Sequence, residues 1–239
     1  MQLHFTQLSD VGRVRAQNQD SVLCQLGAGD GPHLLIVVAD GMGGAAAGEV
    51  ASRLAVQTLA EVYFADETPP SERLQRAVLL AGERILDTGE QDPAMRGLGT
   101  TCTALALAPE GSALVHLGDS RAYRLRDGQI ARLTRDMSVW ATRVRGGAAP
   151  SSEYGRNQLS EALGVRRAPE DVMCEGVEVR PGDRFLLCSD GLWGLVTDPE
   201  MLRIAACGPL EAAAQRLIAL ANARGGEDNV SVVLAAATE

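Results

Sequence analysis

Residues 34–39 read Leu-Leu-Ile-Val-Val-Ala with no polar interruption, and the run stops at Asp40-Gly41-Met42-Gly43-Gly44. An apolar run ended by an acid and glycines predicts a buried strand that delivers one carboxylate to a sheet edge. Gly41 has no Cβ, so a backbone carbonyl can approach whatever Asp40 holds, and a hard cation suits such oxygens. Taken alone the dipeptide reads as a tight Asp-Gly turn, so the choice falls to the rest of the chain.

At 239 residues the chain is long enough to bury a full core, and with no repeat, low-complexity tract or linker it predicts one domain over 1–239. Its net charge of −9 and pI near 4.9 argue against nucleic acid as a partner, because counterion release needs a basic face. No apolar span of membrane length and no leader-like segment is visible, which predicts a soluble, cytoplasmic protein with no membrane partner. The five cysteines (Cys24, Cys102, Cys174, Cys188, Cys207) show no C-x-x-C spacing. They read as small core hydrophobes in a reducing compartment.

Alternation over residues 2–8 predicts an opening strand with Leu3, Phe5 and Leu8 inward. The polar stretch Ser9–Asp20 then reads as a solvated loop leading to a strand over Ser21–Leu26, the partner of Leu34–Ala39. Apolar residues Val50, Ala51, Leu54, Ala55, Leu59 and Val62 fall on one helical face between Gly48 and Phe64. Ser71 is the expected cap of a second helix ending near Gly89, after the turn Thr68-Pro69-Pro70. Strands follow over 102–108, 113–117, 122–126 and 129–133, the last two joined by Asp127-Gly128, a plain hairpin turn. Residues Ser138–Asn157 lose all period and predict a mobile surface loop, with one helical turn over Asn157–Gly164. Further strands are expected over 172–179, 184–188 and 230–236, with a helix from Pro209 to Ala223. The pattern fits an α+β fold of two sheets packed face to face with helix pairs outside.

Five acids sit where strands begin or end: Asp20, Asp40, Asp119, Asp190 and Asp228. With only three histidines in the chain, an all-oxygen cluster suits Mg²⁺ or Mn²⁺ rather than zinc. Carboxylates so gathered need cations to offset their repulsion. Two ions about 3.5–4 Å apart suit in-line attack of water on phosphorus.

The ordered set Ser9-Asp10-x-Gly-x-x-Arg15-x-x-Asn18-x-Asp20, Asp40-Gly41-Met42-Gly43-Gly44 with Gly48-Glu49, Gly99-Thr100-Thr101, Gly118-Asp119-Ser120-Arg121, Ser189-Asp190-Gly191-Leu192-Trp193 and Asp228-Asn229-x-Ser231 resembles the metal-dependent type 2C protein phosphatases, in their bacterial stand-alone form. The resemblance implies a four-layer αββα sandwich of two antiparallel sheets, and a serine/threonine phosphatase that uses water with no covalent enzyme intermediate. It implies that Asp40 bridges two Mn or Mg ions, that Gly41 lends its carbonyl, and that Asp190 and Asp228 complete the pair. Asp20 would hold ion-bound water, Asp119 a weaker third ion, and Arg15 the substrate phosphate. The implied partners are phosphorylated proteins, including a cognate serine/threonine kinase and its substrates, met by a monomer. Three departures bear on metal affinity: Gln19 where the family usually has Glu, Gly194 where an Asp often stands, and Met137 in place of a common His. Gln19 and Gly194 are the only support for the alternative of a catalytically weakened phosphoprotein-binding regulator.

Overall fold

The computed structural model describes residues 1–27, 33–43, 47–65, 67–147, 155, 158–165, 169 and 172–239. The strands are β1 (Gln2–Asp10), β2 (Asp20–Leu26), β3 (Leu34–Met42), β4 (Gly99–Thr100), β5 (Cys102–Leu107), β6 (Ser112–Leu117), β7 (Arg121–Arg126), β8 (Gln129–Arg132), β9 (Met173–Val177), β10 (Arg184–Cys188) and β11 (Val230–Thr238). The helices are α1 (Ala47–Phe64), α2 (Pro70–Gln91), α3 (Val139–Arg145), α4 (Asp190–Trp193), α5 (Asp198–Ala205) and α6 (Leu210–Ala223). One sheet runs β1-β11-β10-β7-β8 and the other β2-β3-β5-β6-β9, with β4 attached to β3. The recorded pairings are antiparallel.

The unbroken apolar run of β3 is explained by what covers each face. Leu34, Ile36 and Val38 meet Phe185, Leu187 and Val233 of the opposite sheet. Leu35, Val37 and Ala39 meet Ala51, Ala55 and Leu59 of α1 and Val78 and Ile85 of α2. All six are fully buried, each leucine, isoleucine or valine contributing roughly 1.5–3 kcal/mol. Across the molecule, Leu186, Val232 and Leu234 turn outward onto Leu217, Ile218 and Ala221 of α6. The result is the expected helix–sheet–sheet–helix sandwich.

Several local expectations change. Leu3 and Phe5 do face the space between the sheets, whereas Leu8, on the other parity of β1, packs toward α6. Ser71 is no cap: α2 begins at Pro70 with Pro69 in the cap position and no side-chain cap bond. Within the expected loop 138–157, residues 139–145 form α3, because the Ser138 hydroxyl accepts the Ala141 amide at 3.2 Å. The remainder of that loop lies largely outside the described residues, as do Asn157 and Gly44. The expected turn over 157–164 is not helical where it is described: Leu159 bridges Ser138 and Leu163 bridges Thr100. Asp127-Gly128 is the hairpin turn expected, with φ of 51° and 73°. Among the described residues no helix is long and apolar enough to cross a membrane.

Candidate active site

The first two carboxylates are placed by strand register. Asp20 opens β2, Asp40 ends the apolar part of β3, and the pairing sets them opposite each other. Asp40 is clamped by its backbone: its amide donates to Thr101 Oγ1 at 2.9 Å, and its carbonyl accepts the Thr101 amide and the Thr100 hydroxyl, each at 2.9 Å. Gly41 is required for a reason the sequence does not show. A Cβ there would stand 2.0 Å from the Gly48 carbonyl oxygen and 2.6 Å from that of Gln19, so the missing side chain lets α1 dock on β3.

Asp190 is the first residue of α4, where β10 ends. A Cβ on the following Gly191 would lie 2.1 Å from the Asn229 carbonyl oxygen, so this glycine lets β11 begin beside Asp190. Asp228 immediately precedes β11; its Oδ1 accepts the Asn229 amide at 2.9 Å and its Oδ2 accepts Arg15 Nη2 at 2.7 Å. That ion pair is half open to water, with side-chain exposures of 54% and 36%, and it brings Arg15 onto the acidic ring. Asp119 sits in the β6–β7 turn behind Gly118, whose φ is 99°.

Arg15, Asp40, Asp119, Asp190 and Asp228 share one cleft of about 240 Å³, with Gln19 and the Gly41 backbone on its wall. Asp20 is buried behind them. Its Oδ2 accepts the Ser189 hydroxyl at 2.7 Å, and Ser189 Oγ in turn accepts the Ser231 amide at 3.0 Å. Ser231 and Ser9 share a hydroxyl–hydroxyl bond at 2.7 Å, and Asn18 donates to Ser9 Oγ at 2.7 Å.

The electrostatics of this ring are those of acids short of positive charge. Burial, and then the neighbouring carboxylates, push Asp20 up to about 7, partly offset by its serine donors. Burial followed by Asp190 and Asp136 pushes Asp119 up to about 7. Burial and then Asp20 and Asp190 hold Asp40 well above the usual carboxylate range. Asp190 is raised by burial and then Asp228, while its hydrogen bond with the Asp40 side chain lowers it. Its bond and attraction to Asp228 raise Arg15.

Whether a divalent cation fits rests on the donors. Asp20 Oδ1 and Asp190 Oδ1 are buried with no hydrogen-bond partner, an arrangement that costs about 1–3 kcal/mol per group unless something binds there. The donors are all oxygen, which suits a hard cation. Among the described residues no three His, Cys, Asp or Glu side chains close into a ready-made cage; Arg15 draws Asp228 and Ser189 draws Asp20, so the ring is open. The residues present fit a hard divalent ion that gathers them.

All seven residues expected from the sequence therefore converge: six surround the cleft and Asp20 backs it. Asp127 stays exposed on its remote hairpin. Sequence reasoning missed Asn229 as an organiser. Its Oδ1 accepts the Gln19 amide at 2.8 Å, and its Nδ2 donates to the carbonyls of Val11 and Gln17 at 3.0 and 2.9 Å, pinning the 11–19 loop beside Asp228. The available signal was the Asp228-Asn229 dipeptide, whose amide was not read as a loop staple.

Comparison with known proteins bears on the family. The sequence pattern of the family described as protein phosphatase 2C matches residues 13–230. The serine/threonine protein phosphatase PstP of Mycobacterium tuberculosis is 40% identical over 98% of this chain, which spans only 45% of that relative's length. The serine/threonine phosphatase stp of Listeria monocytogenes is 33% identical over 97% of this chain and 95% of its own. The crystal structure of the PstP catalytic domain in complex with two manganese ions superposes with a TM-score of 0.85 at 39% identity, covering 99% of each chain. With the family pattern spanning most of its length and such relatives on either side, the chain belongs to the protein phosphatase 2C family.

Proposed function

We propose that residues 1–239 form one catalytic domain that hydrolyses phosphoserine and phosphothreonine in proteins, with two Mn or Mg ions in the core of the cleft and a weaker third beside it. The observation that carries this reading is the convergence of Asp40, Asp119, Asp190 and Asp228 with Arg15 on one cleft, backed by Asp20, from segments far apart in the chain. The two manganese ions of the PstP catalytic domain support the same count here.

Asp40, the Gly41 carbonyl, Asp190 and Asp228 would be the donors for the core pair, Asp20 would act through water and Asp119 would serve the third position. When bound, two such ions supply the charge that activates water and stabilises the phosphoryl oxygens during in-line displacement. The P–O bond to the serine or threonine breaks, a P–O bond to water forms, and a water proton ends on the released hydroxyl. Arg15 offers a planar fork of donors to the phosphate, and its reach to Asp228 puts the guanidinium at the rim of the ring. Ser189 holds the carboxylate of Asp20 in place, and the Ser231 amide holds the Ser189 hydroxyl. Partners in this reading are phosphorylated proteins, among them a cognate serine/threonine kinase and its substrates. The reading takes the protein as a monomer.

The test is phosphate release from a phosphothreonine peptide, expected with Mn²⁺ or Mg²⁺ and absent in chelator. Turnover undiminished by chelator, or none with either metal, overturns the reading.

A further inference from the structure

Asp119 and Asp190 stand on different elements, the β6–β7 turn and α4, and one side chain joins them. Trp193, the last residue of α4, donates its indole Nε1–H to the Asp119 carbonyl at 2.9 Å. Arg121 lies over the face of that indole with its guanidinium carbon 3.6 Å from the ring centre, and is itself held by Asp136 through bonds of 2.9 and 2.7 Å. Arg121 and Asp136 are each only 15% exposed, so the stack is shielded and the ring has little freedom to turn.

We propose that Trp193 is a positioning residue whose indole N–H locks the Asp119 turn to the helix of Asp190, and so sets how tightly the outer, third cation position binds. This rests on the phosphatase reading above. Gly194, which follows Trp193, adds no hold on the turn from the α4 side: it has no side chain, and its amide donates to the Asp190 carbonyl at 2.8 Å. On the sheet side it is fixed by Gly118, where a Cβ would meet Thr101 Cγ2 at 2.6 Å, and by the Ser120–Thr101 hydroxyl bond at 2.8 Å. Trp193 therefore fixes the turn relative to Asp190, whereas Gly118 and Ser120 fix it relative to Asp40.

Calorimetric titration with Mn²⁺ alone, on metal-free wild type and Trp193→Phe, separates the readings. Phenylalanine keeps a ring under Arg121 and removes the N–H. The expected result is a weak binding phase shifted about five-fold toward higher Mn²⁺, the worth of one neutral hydrogen bond. The tight phase stays unchanged, the melting temperature in chelator falls by only the roughly 2–4 °C that one lost hydrogen bond costs, and the Mn²⁺ dependence of peptide hydrolysis shifts in parallel. Asp136→Asn, which loosens Arg121 over the ring, shifts the weak phase the same way by less and serves if Trp193→Phe fails to fold. A weak phase that does not move, or a wild type with tight binding and no weak phase, overturns the inference and leaves the phosphatase reading intact. So does a loss of both phases together with the melting temperature, which marks a merely structural ring. Absence of Mn²⁺ binding in the wild type overturns the phosphatase reading and this inference with it.

Discussion

A carboxylate ring built for cations should destabilise the protein when no cation is present, and Asp119→Asn measures by how much. Asp119 is 7% exposed, and burial followed by Asp190 and Asp136 raises it from 3.8 to about 7. A carboxyl whose folded value lies above its unfolded value binds more protons in the native state between the two. Stability is therefore fullest below about pH 4 and is lost as pH rises toward 7. The shift of about 3 units corresponds to about 4 kcal/mol at most, and relaxation and water entry reduce it toward about 2. Removing the charge should return that amount at pH 7.5 in chelator, raising the melting temperature by roughly 4–8 °C for a chain of this size. At pH 4 the two proteins should melt together. Calorimetric melting at both values tests this, and a variant less stable than wild type at pH 7.5, or a gain independent of pH, refutes the reasoning. With Mn²⁺ present the order should reverse, because the wild type gains binding energy that the variant lacks.

Arg15→Ala should raise KM for a phosphothreonine peptide about 10–100-fold, the range for lost charge-assisted hydrogen bonds, with kcat falling too if those bonds tighten in the transition state; unchanged kinetics would make Arg15 only a partner of Asp228. Gln19→Glu should strengthen Mn²⁺ binding, since it adds a charge to the cleft wall, and calorimetry showing equal or weaker affinity would count against it. Gly41→Ala should cost about 3 kcal/mol or more in denaturant unfolding, because its Cβ would meet backbone oxygens rather than a movable side chain; a loss under 1 kcal/mol would show that α1 shifts freely.

The long-period features were legible in the sequence because they are local. The β3 run declared its double burial, the α1 stripe its face, and Asp127-Gly128 and Asp190-Gly191 the ends of β7 and β10. What escaped was set by contacts between distant parts of the chain. Asn229 binds the carbonyls of Val11 and Gln17 from more than 200 residues away, and the Asp228-Asn229 dipeptide does not say what its amide binds. Gly41 was legible as a glycine position, but its close approach to the Gly48 carbonyl, which requires the missing Cβ, is a contact between β3 and α1 that the sequence does not show. Helix α3 was hidden because seven residues give less than two turns of periodicity, flanked by Gly146 and Gly147. Ser71 looked like a cap because capping depends on backbone dihedrals, and the extended backbone falls at Pro69 instead.

The most direct test is Mn²⁺ titration calorimetry of wild type and Asp40→Asn, run beside hydrolysis of a phosphothreonine peptide. The account requires two tightly bound ions per wild-type chain, and loss of both tight binding and turnover in Asp40→Asn, whose fold is checked by its melting in chelator. An Asp40→Asn protein that still binds two ions tightly or still turns over at the wild-type rate would contradict the claim that Asp40 is the centre of the site.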